Sequence, residues 1–235
     1  MSTSLVHYIP ILTTLLAFPF AAEIYARYRR HPERLHLWWW AAGIATYGVG
    51  TLTEALTTLV GWQEPIFRAW YVSGALLGAA PLAQGTVYLM LSRRVAHALT
   101  RLLVAYVVVA SVAVWLSPVD YTLVEAHRLS GRVFEWQWVR AFSPFVNLYA
   151  VVFLIGGAIL SALRYSANPD TRHRMWANVF IAVGAILPGI GGTATRMGHV
   201  EVLYVTELVG MLLTWLGYRM SVRPMPAPVP QPATA

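Results

Sequence analysis

The chain contains no cysteine and no lysine, and it carries little charge of either sign. Without cysteine there is no disulfide, no iron–sulfur cluster and no thiolate nucleophile. Without lysine neither retinal nor pyridoxal phosphate can be held as a Schiff base. A retinylidene photoreceptor is therefore excluded whatever the number of helices. Charged residues make up 11% of the 235 positions, against 57% hydrophobic, and the mean hydropathy is +0.56. Soluble domains carry roughly 25% charged residues, so there is too little charge here to coat a globule of this size. That excludes a soluble enzyme, a disordered chain and a disulfide scaffold, and assigns the chain to a bilayer. All 17 basic residues are arginine and the net charge is +7. The arginines fall in short connections between apolar runs, so they read as topology signals and imply no nucleic-acid partner.

Seven apolar runs each approach the ~20 residues needed to cross a bilayer. They cover approximately 5–25, 36–60, 69–92, 98–117, 138–163, 174–195 and 201–219. Ala21-Ala22 resembles a signal-peptide cleavage site. Residues 1–8 hold no Arg or Lys, however, and the positive cluster follows the run, so it is read as a retained helix. The fold class is thus all-α, a polytopic seven-helix transmembrane bundle over 1–220. Arginine bias sets the orientation. Twelve arginines lie in alternate connections and the tail: 27, 29, 30 and 34; 93, 94 and 101; 164, 172 and 174; 219 and 223. Five lie on the other side, at 68, 128, 132, 140 and 196. This predicts an extracytoplasmic N-terminus and a cytoplasmic C-terminus in an inner membrane, which requires an odd number of spans.

Trp38-Trp39-Trp40, Trp62, Trp70, Trp136 and Trp138 fall at predicted span ends, where amphipathic rings anchor at headgroup level. The one long connection, 118–137, has alternating β-prone residues around Ser130-Gly131, which predicts an extracytoplasmic β-hairpin able to lid the bundle. Residues 221–235 are rich in proline and predict a disordered cytoplasmic tail. Gly43, Gly48, Gly50, Gly74, Gly78, Gly156 and Gly157 read as close-approach surfaces between helices. Pro188-Gly-Ile-Gly-Gly192 predicts a bend or unwinding in the outer half of the sixth span.

Ionisable groups within spans are costly and mark candidate sites. Glu54 lies six residues before the outer end of the second span, and Glu207 six after the outer start of the seventh. At 1.5 Å per residue both are roughly 9 Å below the outer boundary. Arg68, Arg140, Asn147, Arg196 and His199 fall at similar or shallower depth, with Thr53, Glu201 and Thr206. Together they predict a polar cavity facing the extracytoplasmic side, with Glu54, Glu207, Arg68, Arg140, Asn147, Arg196 and His199 as candidate ligand-binding residues. The competing reading is that the two glutamates pair with Arg68, Arg140 or Arg196 and tie helices together. Glu23 lies beside Arg27 and Arg30 and is read as snorkelling to the interface. Gln84 and Asn178 are read as interhelical hydrogen-bonding groups.

No cofactor is implied. The seven histidines all fall in loops or at span ends, whereas a transmembrane haem draws its axial pair from mid-span. No HxxxH or HExxH spacing supports a zinc site. The seven-span ceramidase and adiponectin-receptor type of hydrolase needs a histidine cluster at one membrane face, and His199 stands alone near the cavity. No GxSxG is present, and Asp120 and Asp170 lie on opposite sides, so a catalytic set does not assemble and a non-enzymatic role is favoured.

Tyr47-Gly-x-Gly50, Glu54, Arg68-Ala-Trp-Tyr71, Gly74-Ala-Leu-Leu and Thr86-x-Tyr88 resemble bacterial seven-transmembrane sensor regions. In that family such regions are fused ahead of histidine kinase or cyclase domains. The resemblance covers the second and third spans, about a fifth of the chain. It implies a ligand-sensing bundle with an outer pocket, here as a stand-alone relative without an output domain. The leading expectation is a membrane protein that senses or binds a small or lipidic ligand, with membrane lipids around it. The alternatives are a small-molecule or proton-coupled transporter, and a structural subunit engaging a membrane-protein partner or a second copy of itself.

Overall fold

A computed structural model of the chain describes residues 5–125 and 128–222. Seven long helices account for most of them: α1 (Leu5–Arg30), α2 (Leu35–Val60), α3 (Glu64–Met90), α4 (Arg93–Leu116), α5 (Gln137–Ser166), α6 (Pro169–Arg196) and α7 (Val200–Val222). No strand is present among the described residues. Six of the seven are long and apolar enough to cross a membrane. The exception, α2, is as long at 26 residues but carries more threonine and tryptophan. Its polar groups face inward: Thr51, Thr53, Glu54 and Thr57 are all buried. A helix screened from lipid by its neighbours needs less hydrophobicity of its own. This is the architecture of a multi-pass membrane protein.

Six helices close a ring. α1 packs on α2 and on α7, α7 on α6, α6 on α5, α5 on α3, and α3 on α2. α4 stands outside this ring against α3 and shows Leu102, Val104, Val108, Val109 and Val112 on its outer surface, as expected of a lipid-facing stripe. The C-terminal ends of α1 and α7 meet. Glu23 accepts hydrogen bonds from Trp215 Nε1 at 2.9 Å and from Arg219 at 2.9 Å. Glu23 is thus a helix-to-helix tie near the end of the bundle. First and last helices that run parallel require an odd number of traverses.

Small residues set the helix contacts. A Cβ added at Gly48 would lie 3.0 Å from Ala17 on α1, and one at Gly43 would lie 2.7 Å from Leu82 on α3. The tightest interface is α6 with α7. Gly184 and Gly191 on one side, and Gly210 and Gly217 on the other, each seven residues apart, bring the two backbones together. A Cβ at Gly210 would stand 2.6 Å from the Gly184 carbonyl oxygen.

The unwinding expected at Pro188–Gly192 is not there: α6 is continuous through this stretch. The Pro188 ring packs toward Gly210 on α7, and Gly191 serves the same interface, while Gly189 and Gly192 face open space. The break falls in α3. A π-helical segment, Tyr71–Leu77, ends at Gly78, whose φ of +44° is open to glycine at little cost, and the helix restarts at Ala80 with Pro81 in its first turn.

The 118–137 connection is corrected as well. It is a compact set of short 3-10 turns, with isolated antiparallel bridges Val119–Phe134 and Glu125–Arg128. Asp120 accepts from the Thr122 amide at 2.9 Å, and Ser130 from the Arg132 amide at 3.3 Å. Such local side-chain bonds turn the backbone away from a ladder. The segment is nonetheless packed: Val119, Leu129, Val133, Phe134 and Val139 bury against Phe67, Tyr71 and Val114. Beyond Val222, the tail expected to be disordered lies outside the described residues.

Candidate functional site

The ring encloses a cavity of about 1370 Å³ that runs along much of the bundle. One end is walled by Arg128, Arg132, Arg140, Asn147 and Arg196, and the other by Tyr165, Arg174, Tyr218 and Ser221. Between them the lining is largely apolar, with Phe20, Ile44, Leu82, Leu154, Ile181 and Met211.

Glu54 and Glu207 meet on the α2–α7 side of this cavity. Both line it, and the two carboxyl groups lie close enough to act on each other. Glu54 also accepts from Trp70 Nε1 at 3.0 Å, and the Tyr47 hydroxyl donates to the Glu207 backbone carbonyl at 3.0 Å. Glu54 Oε2 and Glu207 Oε2 are shielded from solvent and receive no hydrogen bond from a protein donor. Neither carboxyl group has an arginine within ion-pair distance among the described residues. The helix-tying alternative, which paired them with Arg68, Arg140 or Arg196, is therefore not realised.

Arg140, Asn147 and Arg196 line the cavity as expected. Arg68 and His199 do not. Arg68 is buried behind the wall, salt-bridged to Glu64 at 2.6 Å, and donates to the Ser117 carbonyl at 2.8 Å and to that of Val114. It caps the end of α4, whose last carbonyls would otherwise lack partners. His199 is exposed and pairs with Glu201 at 3.1 Å. Of the lone amides, Gln84 does bridge helices: it donates to Thr100 on α4 at 2.9 Å and accepts from Tyr149 on α5. Asn178 bonds only within its own helix, to the Arg174 carbonyl at 2.8 Å, and lines the cavity.

Several lining residues escaped the sequence reading. Trp70 was read as an interface anchor, Arg128 and Arg132 as topology signals, and Tyr47 was given no place in the site. Trp70 is half-buried and aims its N–H at Glu54, one helical face away from the belt position its span-end location suggested.

Residues 128–132 form a lid over the mouth. Gly131 sits against the Tyr71 ring, with no room for a side chain: a Cβ there would be 2.7 Å from Tyr71 Cε2. Tyr121, at the other side of the lid, donates to Glu64, and this bond pushes its phenol above the ordinary tyrosine range. The Asp120 carboxyl is held below its usual range by the Thr122 hydroxyl and amide.

No family model, curated protein or solved structure matches the chain. What the site does must therefore be argued from its own chemistry. Among the described residues no group of three or more His, Asp or Glu side chains converges as metal ligands would.

Proposed function

We propose that the protein is a ligand-binding membrane protein whose ligand occupies the ring cavity, with a sensing role of the kind found in bacterial seven-span sensor regions. The reading is carried by one observation: two buried carboxyl groups face a cavity of about 1370 Å³ with their outer oxygens unsatisfied by the protein. Buried acceptors without donors are costly, and they persist where a ligand or solvent group supplies the missing hydrogen. The arginine bias orients the Arg128–Arg132 lid to the extracytoplasmic side of an inner membrane, so the ligand belongs to that side.

The test is native mass spectrometry with an absorption spectrum on protein gently extracted from its host. The Glu54→Gln/Glu207→Gln variant is run in parallel. A defined bound molecule, lost or strongly depleted in the variant, is the expected result. An empty wild-type protein with an unchanged variant overturns the reading.

A proton-coupled carrier is the second reading, because two adjoining carboxyl groups line a cavity that reaches toward both ends of the bundle. Proton flux into liposomes that is absent, or insensitive to Glu54→Gln, counts against it.

A further inference from the structure

The cavity is larger than the roughly 300–1,000 Å³ of ordinary small-molecule pockets, and its two walls differ in charge. The acid pair lies between α2 and α7. Arg140, at the start of α5, and Arg196, at the end of α6, lie on the opposite arc of the ring. Arg132 on the lid lines the same end as both of them. None of the three has a carboxylate within ion-pair distance among the described residues, and Arg140 donates to Gln137 at 2.6 Å. Three guanidinium groups without carboxylate partners at one end of a cavity are a ready anion receptor.

The wall beneath them is open. α6 packs closely along Gly156–Ser166 of α5 but only sparsely against Phe142–Ala150. Facing that gap, a Cβ added at Gly189 or Gly192 would meet nothing within 4 Å, although both glycines line the cavity. The gap lies between two membrane-length helices, so a chain leaving the cavity through it would enter lipid.

Resting on the reading that the cavity holds a ligand, we infer that this ligand is an anionic amphiphile. Its headgroup lies on Arg140 and Arg196, and its alkyl chain enters sideways between α5 and α6. The acid pair does not oppose such a headgroup, because it lies across the ring on α2 and α7. A phosphate and a carboxylate headgroup satisfy the same arginines.

The experiment offers the full-length, detergent-purified chain an equimolar set of phosphatidylglycerol, palmitate, phosphatidylcholine and dipalmitoylglycerol, and reads retained species by native mass spectrometry. Wild type is expected to retain one of the two anionic species, which identifies the headgroup, over the zwitterionic and neutral ones. Arg140→Gln/Arg196→Gln is expected to lower that retention about tenfold or more, since charge-assisted hydrogen bonds to the headgroup are lost. Gly192→Trp keeps both arginines, fills the side entrance where there is room, and is expected to lose the anionic species too. Retention without headgroup preference overturns the anionic inference while leaving a ligand in the cavity. A folded Gly192→Trp that binds as wild type overturns the lateral entry. Retention of nothing by wild type removes the ligand-binding reading itself.

Discussion

Single side chains in this bundle are legible where chemistry restricts them. A glutamate in an apolar run has few tolerable fates, so Glu54 and Glu207 stood out in the sequence, and their matching depth anticipated that they meet. Arg68 and His199 shared that depth but not that direction. Depth follows from residue count, whereas direction depends on helix rotation, which sequence position alone does not fix. Tyr121 offers a check on the lid. Its bond to Glu64 stabilises the protonated phenol, so its contribution is complete below the ordinary tyrosine pKa and is lost as pH rises through the higher folded value. The phenolate difference spectrum between wild type and Tyr121→Phe should titrate above the free-tyrosine range and return toward it in Glu64→Gln. Titration at the ordinary value in both backgrounds would remove the tie. Gln84 serves three helices at once. Gln84→Leu is expected to cost about 0.6–2 kcal/mol, read as a lowered midpoint of thermal unfolding in detergent.

At the level of elements, glycine and proline carried the information and also misled. The sequence Pro188-Gly-Ile-Gly-Gly192 has the composition of a helix break, yet α6 is continuous and the break lies at Gly78 in α3. The difference is the neighbour. The seven-residue spacing of Gly184 and Gly191 matches that of Gly210 and Gly217, so small residues meet small residues and a regular helix is held by close contact. Neither segment alone discloses that pairing. Gly210→Ile pushes a side chain against a backbone carbonyl 2.6 Å from its Cβ and should destabilise by about 1–3 kcal/mol. Gly189→Ala, on the same helix pair but facing open space, should be neutral or slightly stabilising. Equal effects of the two substitutions on thermal unfolding would show that the α6–α7 interface is looser than these distances require. The 118–137 loop teaches a similar lesson: alternating β-prone residues were read as strands, but Asp120 and Ser130 offered the backbone local acceptors and turned it into 3-10 structure.

For the molecule as a whole, low charge and seven long helices settled the membrane class early, because lipid tolerates so few alternatives. A polar cavity was anticipated at the outer end, but its apolar extent, the ring around it and the exclusion of α4 were not legible, since they depend on which apolar face meets which, and apolar faces look alike in sequence. Sidedness is the remaining global property, and it determines which compartment the arginine mouth serves. The parallel packing of α1 with α7 puts Leu5 and Val222 at opposite ends of the bundle, and the arginine bias predicts that the Val222 end is cytoplasmic. The chain has no native cysteine, so single-cysteine variants report position without background. Thr122→Cys, on the lid, should react with a membrane-impermeant maleimide in intact spheroplasts. Ser92→Cys, between α3 and α4, should react only after permeabilisation. The opposite pattern would invert the bundle and turn the arginine-lined mouth toward the cytoplasm. Equal labelling of both in intact spheroplasts would mean that the two sites share a side, which is incompatible with α4 as a single crossing between them.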